Sequence, residues 1–334
     1  MSGRLTRDQI IEGYRLFFGR DPESEAVIES YIAHNLELWH FLRVLAGSAE
    51  GQRCQVDSGS QLFIGRQDHR IDIDAGPDIL AELTAKTKTA WDGFGETDAL
   101  WSVITEPQYR KAVLDEAARE EFYAGGKVEL DDLAAACQRN GMAIDPGATV
   151  LELGCGVGRV SEHLARYFQH YIGVDISPSH LRIAQQHLSS LSLENIQLLA
   201  LEDFLKQPPS FDVFYTILTL QHNPPPVMLM LLRTCLSRLR PGGCAFFQLP
   251  CHLYNYEFDT TRYASRPADG DMEMHALPQA HVFRALAENG LVPVEVVPYP
   301  RIGPIGFSFA FLAIKPAPPE SPAVASNASA APLA

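Results

Sequence analysis

The chain has 334 residues, 46% of them hydrophobic and 20% charged, which is enough to bury a full core and allows a second, smaller domain. A net charge of -14 counts against general affinity for nucleic acid or an anionic membrane, because both need a basic surface. Six cysteines (Cys54, Cys137, Cys155, Cys235, Cys244 and Cys251) are scattered with no CxxC pair, so they read as reduced, mostly buried thiols and neither a disulfide framework nor a zinc site.

The opening MSGRLTRDQ is too polar for a signal peptide, and no apolar run is long enough to span a bilayer. The expected compartment is the cytoplasm. Thr6 followed by Gln9 is a capping-box spacing that opens a first helix, RDQIIEGYRLFFG. Asp21 as N-cap with Pro22 at the first helical position predicts a second, PESEAVIESYIAH. LELWHFLRVLAG carries a third helical pattern. Residues 1–55 are therefore expected to form a helical module that mediates protein contacts or oligomerisation. The stretch from Tyr14 to Gly51, with its Gly-Arg-Asp-Pro at 19–22 and Ser-Ala-Glu at 48–50, resembles a small helical domain of unknown function appended to bacterial surface-polysaccharide enzymes.

Residues 56–85 are polar and mixed and read as a linker, with a short strand or turn near HRIDIDAGPD. Aromatics return in AWDGFGETDALWSVITEPQYR, a lead-in expected to pack on the next domain. From there to residue 315 strands and helices alternate. TVLELG, YIGVDI, NIQLLAL, FDVFYTILTL, GCAFFQL, VPVEVV and FSFAFLAI read as strands. VSEHLARYF, PSHLRIAQQHLSSL, PVMLMLLRTCLSRL and PQAHVFRALAENG read as helices. Nearly continuous apolar strands separated by helices predict a doubly wound, mostly parallel α/β sheet of seven strands. Only PYPRIGPIG separates the last two, too little for a helical crossover, so the last strand should run antiparallel. Residues 316–334, rich in Pro, Ala and Ser, are expected to be a disordered tail.

The first strand of the sheet ends in Gly154-Cys155-Gly156-Val157-Gly158 and a helix follows at once. Glycines there let bare backbone approach a ligand, and the helix start offers free N–H groups. A dinucleotide fingerprint would need Gly or Ala where Arg159 stands, and a Walker loop would need Gly-Lys-Ser/Thr. The spacing is instead acid-x-G-x-G-x-G with Glu152 leading. Asp175 ends the second strand 17 residues after Gly158, placed to accept hydrogen bonds from two ribose hydroxyls.

VLELGCGVGR together with GVDIS resembles the cofactor-binding half of the class I S-adenosylmethionine-dependent methyltransferases. The likeness extends through LEDF (201–204), FDVFYTILTLQHNP and LRPGG (239–243), and so covers about residues 86–315. It implies S-adenosyl-L-methionine as cofactor, with Glu152, Gly154, Gly156 and Gly158 around its methionyl part. It implies Asp175 on the ribose with Ile176 beside it, Asp203 on the adenine amino group and Leu220 past the fourth strand. Tyr123, in EEFYAGG, is the candidate for an aromatic lid, with simple core packing as the alternative. Arg159 has three options: the cofactor carboxylate, Glu152 or solvent.

The implied activity is methyl transfer to a small-molecule or glycan acceptor, directed at a hydroxyl. The glycan rests on the N-terminal resemblance. A protein or nucleic-acid methyltransferase and a non-catalytic cofactor-binding scaffold are the alternatives, and the acidic charge counts against nucleic acid. His222, in LQHNPPP just past the fourth strand, is a candidate general base or a loop-ordering residue. His275 is a second candidate base, within the long insertion 251–278 that carries Tyr254, Tyr256, Phe258 and Tyr263. Such an insertion suits an acceptor or packs down on the sheet. No metal-ligand spacing is present.

Overall fold

Seven apolar runs become the strands β1 Thr149–Leu153, β2 His170–Asp175, β3 Ile196–Ala200, β4 Phe211–Thr216, β5 Leu239–Leu253, β6 Val292–Pro298 and β7 Gly306–Ile314. The computed structural model describes residues 5–18, 20–34, 36, 38–48, 50, 70–267, 270–299, 301–302 and 305–317. The strands form one sheet in the order β3-β2-β1-β4-β5-β7-β6. All pairs are parallel except those of β7, which runs antiparallel to both β5 and β6. The reversed strand is last in the chain but lies inside the sheet. Its sequence, GFSFAFLAI, is buried on both faces over eight positions, whereas β6 is half-buried with an exposed first residue. The drier strand takes the interior place and the wetter one the edge.

Seven helices pack on or beside the sheet: α4 Pro77–Thr97, α7 Lys127–Arg139, α8 Ser161–Tyr167, α9 Pro178–Ser190, α10 Leu201–Lys206, α11 Pro225–Arg238 and α13 Gln279–Glu288. Before the sheet come α1 Arg7–Phe18, α2 Glu25–Ala33, α3 Leu38–Gly47, the short α5 Ala99–Val103 and α6 Glu116–Ala124, and α12 Thr260–Ala264 lies in the insertion after β5. Helix α4 begins inside the stretch expected to be linker. Pro77 at its first position and Asp78 in its first turn are a helix start, obscured in sequence by the polar residues before it. Just upstream, Ile71 bridges Phe258 of the insertion. Helix α4 packs on α9, α11 and α12, crossing over the carboxyl edge of the sheet.

In the N-terminal module Thr6 and Gln9 form the reciprocal capping box, with Thr6 N donating to Gln9 Oε1 at 2.9 Å and Gln9 N to Thr6 Oγ1 at 3.3 Å. The second helix starts later than expected, after Ser24. Arg15 Nε holds the Asp21 carboxylate at 2.5 Å, so Asp21 is not the cap. Arg20 donates to Glu23 at 2.6 Å and to both carboxylate oxygens of Glu50 at 2.9 and 2.6 Å. Arg20 and Glu50 thus clasp the chain before the second helix to the chain after the third. Ile10, Tyr14, Ile28, Phe41 and Leu45 join the same apolar cluster as Phe307 and Phe309 of β7, so those side chains are buried within this chain and not left for a partner.

Cys137, Cys155, Cys235, Cys244 and Cys251 are free and buried. Cys54, most of the expected linker (56–69) and the tail from 318 onward lie outside the described residues. No described helix is long and apolar enough to cross a membrane.

Candidate active site

The strand order reverses between β1 and β4, and in an open α/β sheet the crevice beyond the carboxyl ends at such a point takes the ligand. A cavity of about 530 Å³ lies there. Its floor is the loop after β1. Gly154 has φ +78, and a Cβ on it would come within 2.1 Å of Thr219 Oγ1, behind the loop. Only glycine lets the two loops meet. Gly156 N donates to Asp175 Oδ2 at 2.8 Å and Ser177 N to Asp175 Oδ1 at 2.8 Å, so the carboxylate at the end of β2 is clamped beside the glycine loop. Burial raises its pKa; the field of His180 and the Ser177 and Gly156 amides oppose this.

Glu152 sits beneath the loop. Its Oε2 accepts from Ser161 Oγ at 2.7 Å and Tyr171 Oη at 2.5 Å. Burial nevertheless pushes its carboxyl up to about 7. Arg159 neither pairs with Glu152 nor faces solvent: it is buried in the cavity wall, and its Nη2 donates to Glu129 of α7 at 2.9 Å. Arg301 also pairs with Glu129, and Tyr299 Oη donates to it at 3.1 Å. Arg159 Nε is buried without a hydrogen-bond partner. Two guanidinium groups therefore surround one carboxylate in the cavity wall, and one of their donors is unused.

His222 lies on the 3-10 turn Leu220–His222 past β4. The carbonyl oxygen of Glu273 can only accept, so His222 Nδ1, 2.9 Å away, carries the hydrogen. The neutral ring then presents Nε2 as acceptor, with Gln221 Nε2 at 3.2 Å. Gln221 is oriented by Gln248, whose Nε2 donates to Gln221 Oε1 at 3.1 Å and whose Oε1 accepts from Leu218 N at 2.9 Å. Leu218 has φ +59, backbone strain of the kind found at functional sites. Loss of solvent lowers His222 to about 4.

Glu152, Gly154, Gly156, Asp175, Ile176 and His222 all line this one cavity. Five other candidates lie elsewhere. Tyr123 is buried core: its ring stacks on His187 at 3.5 Å and its hydroxyl donates to Val157 O at 3.4 Å. It is no lid, because α6 packs its aromatic face inward. Gly158, at φ +91, lets the start of α8 pack on α9, where a Cβ would meet Ala184 Cα at 3.4 Å. Asp203 is exposed and paired with Lys206 at 2.9 Å; its neighbour Leu201 lines the cavity in its place. Leu220 points into the core, and its neighbours Thr219 and Gln221 form the wall. His275 is buried behind the wall, its Nδ1 2.8 Å from Tyr256 Oη, and its chain neighbour Met274 faces the cavity.

Sequence reasoning passed over the roof. Trp91 of α4 sits with its ring 5.1 Å from His222 and 6.0 Å from His180. His180 is buried between Ser102 Oγ and Ser177 Oγ, each at 2.8 Å. Met272 and Met274 of the insertion close the far side. The returning aromatics at 91–109 were the available signal for Trp91. Nothing local marks Glu129 or Arg301. Among the described residues no group of three His, Cys, Asp or Glu could hold a metal ion.

Residues 150–243 match the family model described as a methyltransferase domain. A ubiquinone biosynthesis O-methyltransferase of Xanthomonas campestris pv. campestris (strain B100) is 35% identical over 130 residues, 38% of this chain and 51% of that protein. One of Albidiferax ferrireducens is 35% identical over 104 residues, 30% of this chain and 40% of that protein. The chain spans about half the length, or less, of the curated relatives it matches. A solved structure similar to this one is the magnesium protoporphyrin IX methyltransferase of Synechocystis PCC 6803 with bound SAH, at TM-score 0.48 and 18% identity over 69% of this chain and 99% of that one.

Proposed function

We propose that this chain transfers a methyl group from S-adenosylmethionine to a hydroxyl of a small molecule. The observation that carries the reading is the meeting, in one cavity of about 530 Å³, of the bare glycine loop, the clamped Asp175 and the oriented His222. The donor set fits the cofactor. Arg159, with its orphaned Nε, and Arg301 would take the methionyl carboxylate, and Glu129 and Glu152 lie near for the ammonium. Asp175 would take the ribose diol, and Ile176 and Leu201 offer apolar surface to the purine. When bound, the sulfonium supplies an electrophilic methyl whose carbon leaves its electron pair on sulfur as the bond to the acceptor oxygen forms.

The rest of the work falls to the chain's own residues. The walls hold the acceptor in line, which is the larger part of the barrier lowering for a displacement. His222 Nε2 takes the hydroxyl proton and passes it to water, while Nδ1 stays bound to the Glu273 carbonyl. Direction at oxygen is supported by the names of the curated relatives, which are O-methyltransferases, and by a histidine poised as acceptor. Calorimetric titration with S-adenosylmethionine and S-adenosylhomocysteine tests the reading. Saturable binding of both supports it, and binding of neither by folded protein overturns it.

A further inference from the structure

His222 Nε2 stands at the end of a chain of buried amides that begins behind the cavity wall. Gln221 and His222 line the large cavity, whereas Gln248 of β5 and Ser308 of β7 do not. Gln248 and Gln221 are both buried, and a buried amide needs partners for its oxygen and for its nitrogen. The two ends of the chain are backbone groups whose roles cannot be exchanged. Leu218 N can only donate, and it donates to Gln248 Oε1 at 2.9 Å. The nitrogen of that amide then faces the other way, donating to Ser308 Oγ at 2.5 Å and to Gln221 Oε1 at 3.1 Å. With its oxygen so taken, Gln221 turns its own nitrogen to His222 Nε2 at 3.2 Å. From the opposite side the Glu273 carbonyl can only accept, which places the ring hydrogen on Nδ1. The two ends agree: a donor faces Nε2, and the hydrogen sits on the other nitrogen.

Taking His222 as the base read above, we propose that Gln248 and Gln221 are positioning residues that keep His222 Nε2 free of a proton until the acceptor arrives. An N–H aimed at Nε2 is compatible with a lone pair there and clashes with a second N–H. The relay therefore disfavours both the Nε2–H tautomer and the imidazolium, neither of which takes a proton from a hydroxyl at Nε2. Gln221 is the member of the relay at the cavity, so an incoming hydroxyl replaces its N–H at the ring and leaves Gln248 in place.

The residue types suit a device that transmits direction. An amide carries its acceptor and its donors on different atoms, so fixing one end fixes the other. A hydroxyl rotates to suit either neighbour, and an ionised carboxylate only accepts. Leu218, held at φ +59, supplies the N–H that sets the direction, which gives its strained backbone a use. Gln221 O accepts from His275 N at 2.7 Å, so the backbone that carries Gln221 and His222 is itself tied to the insertion. Mere satisfaction of buried polar groups would demand no particular state at Nε2.

The test is a long-range proton–nitrogen correlation spectrum, at neutral pH, of the full chain labelled with nitrogen-15 in its 11 histidines, the His222 signals being assigned by their loss in His222→Asn. The unaltered chain should show Nδ1 protonated and Nε2 bare. Gln221→Glu puts an acceptor where the relay has a donor, and should abolish the bare-nitrogen signal by protonating Nε2. Gln248→Met leaves Gln221 free to turn its oxygen to the ring, and should shift the Nε2 signal in the same direction from two side chains away. Should that variant fail to fold, the Gln221→Glu spectrum decides. Ser308→Ala should leave Nε2 bare, because Leu218 N alone fixes the direction. Protonated Nε2 in the unaltered chain overturns the proposal, as does a bare Nε2 in Gln221→Glu or an Nε2 signal unmoved in folded Gln248→Met. These spectra need neither cofactor nor acceptor. Failure of S-adenosylhomocysteine to bind, which removes the functional reading, is therefore a different result from failure of the relay.

Discussion

The floor and the roof of the cavity are built in opposite ways. The floor is contiguous chain: β1, the glycine loop and β2 supply Glu152, Gly154, Gly156, Arg159 and Asp175 within 24 residues. The roof gathers Thr87 and Trp91 from α4 and Met272 and Met274 from the insertion after β5. The floor is polar and clamped, with both Asp175 oxygens and Glu152 Oε2 occupied. Near His222 the roof is largely apolar. A cofactor shared by many enzymes asks for a fixed polar cradle, whereas an acceptor particular to one enzyme is fitted by side chains on separately variable segments.

The largest expected effect tests the boundary between the two. His222→Ala should reduce turnover by about 100- to 10,000-fold and leave S-adenosylhomocysteine affinity within a factor of about three. A collapse of affinity would move His222 into the floor. In the unaltered enzyme kcat/KM should show no acid limb near pH 6.5, since burial keeps the ring unprotonated down to about 4. A limb at 6.5 would mean that the ring is hydrated in the working state.

Asp175→Ala should weaken S-adenosylhomocysteine by at least about 100-fold, because two hydrogen bonds to a charged group, each about 1.5–3 kcal/mol, are lost. Calorimetry decides it, and an unchanged constant would remove Asp175 from the floor's chemistry.

Glu152 bears on stability. Its folded carboxyl titrates near 7, against 4.5 when unfolded. Between those values the folded state keeps a proton that the unfolded state has lost. Its contribution is therefore fully present below 4.5 and is lost as pH rises through 7, by about 3 kcal/mol. Urea unfolding of Glu152→Gln across this window should show the slope removed; the same slope in the variant would assign it to another group.

The smallest effect is a control. Asp203→Ala should change S-adenosylhomocysteine affinity by less than about twofold, since an exposed ion pair contributes little. A tenfold loss would show that the carboxylate leaves Lys206 for the cofactor.

Much of this molecule was legible because its cues are local. All seven strands, the capping box at Thr6 and Gln9, and the glycine loop with Asp175 rest on spacings of a few residues to a couple of dozen. The antiparallel pairing of β6 and β7 followed from the shortness of their connection. What only the tertiary structure decided depends on distant partners. Arg159 pairs with Glu129, which Arg301 reaches from 172 positions away, and Lys86 reaches Ala264 across 178. Tyr123 is core because His187 stacks on it, and Trp91 faces the site because α4 crosses the sheet edge. Periodicity and capping constrain a residue's own element. Which face of that element meets which other is set by burial summed over the whole chain, and no short window of sequence contains that sum.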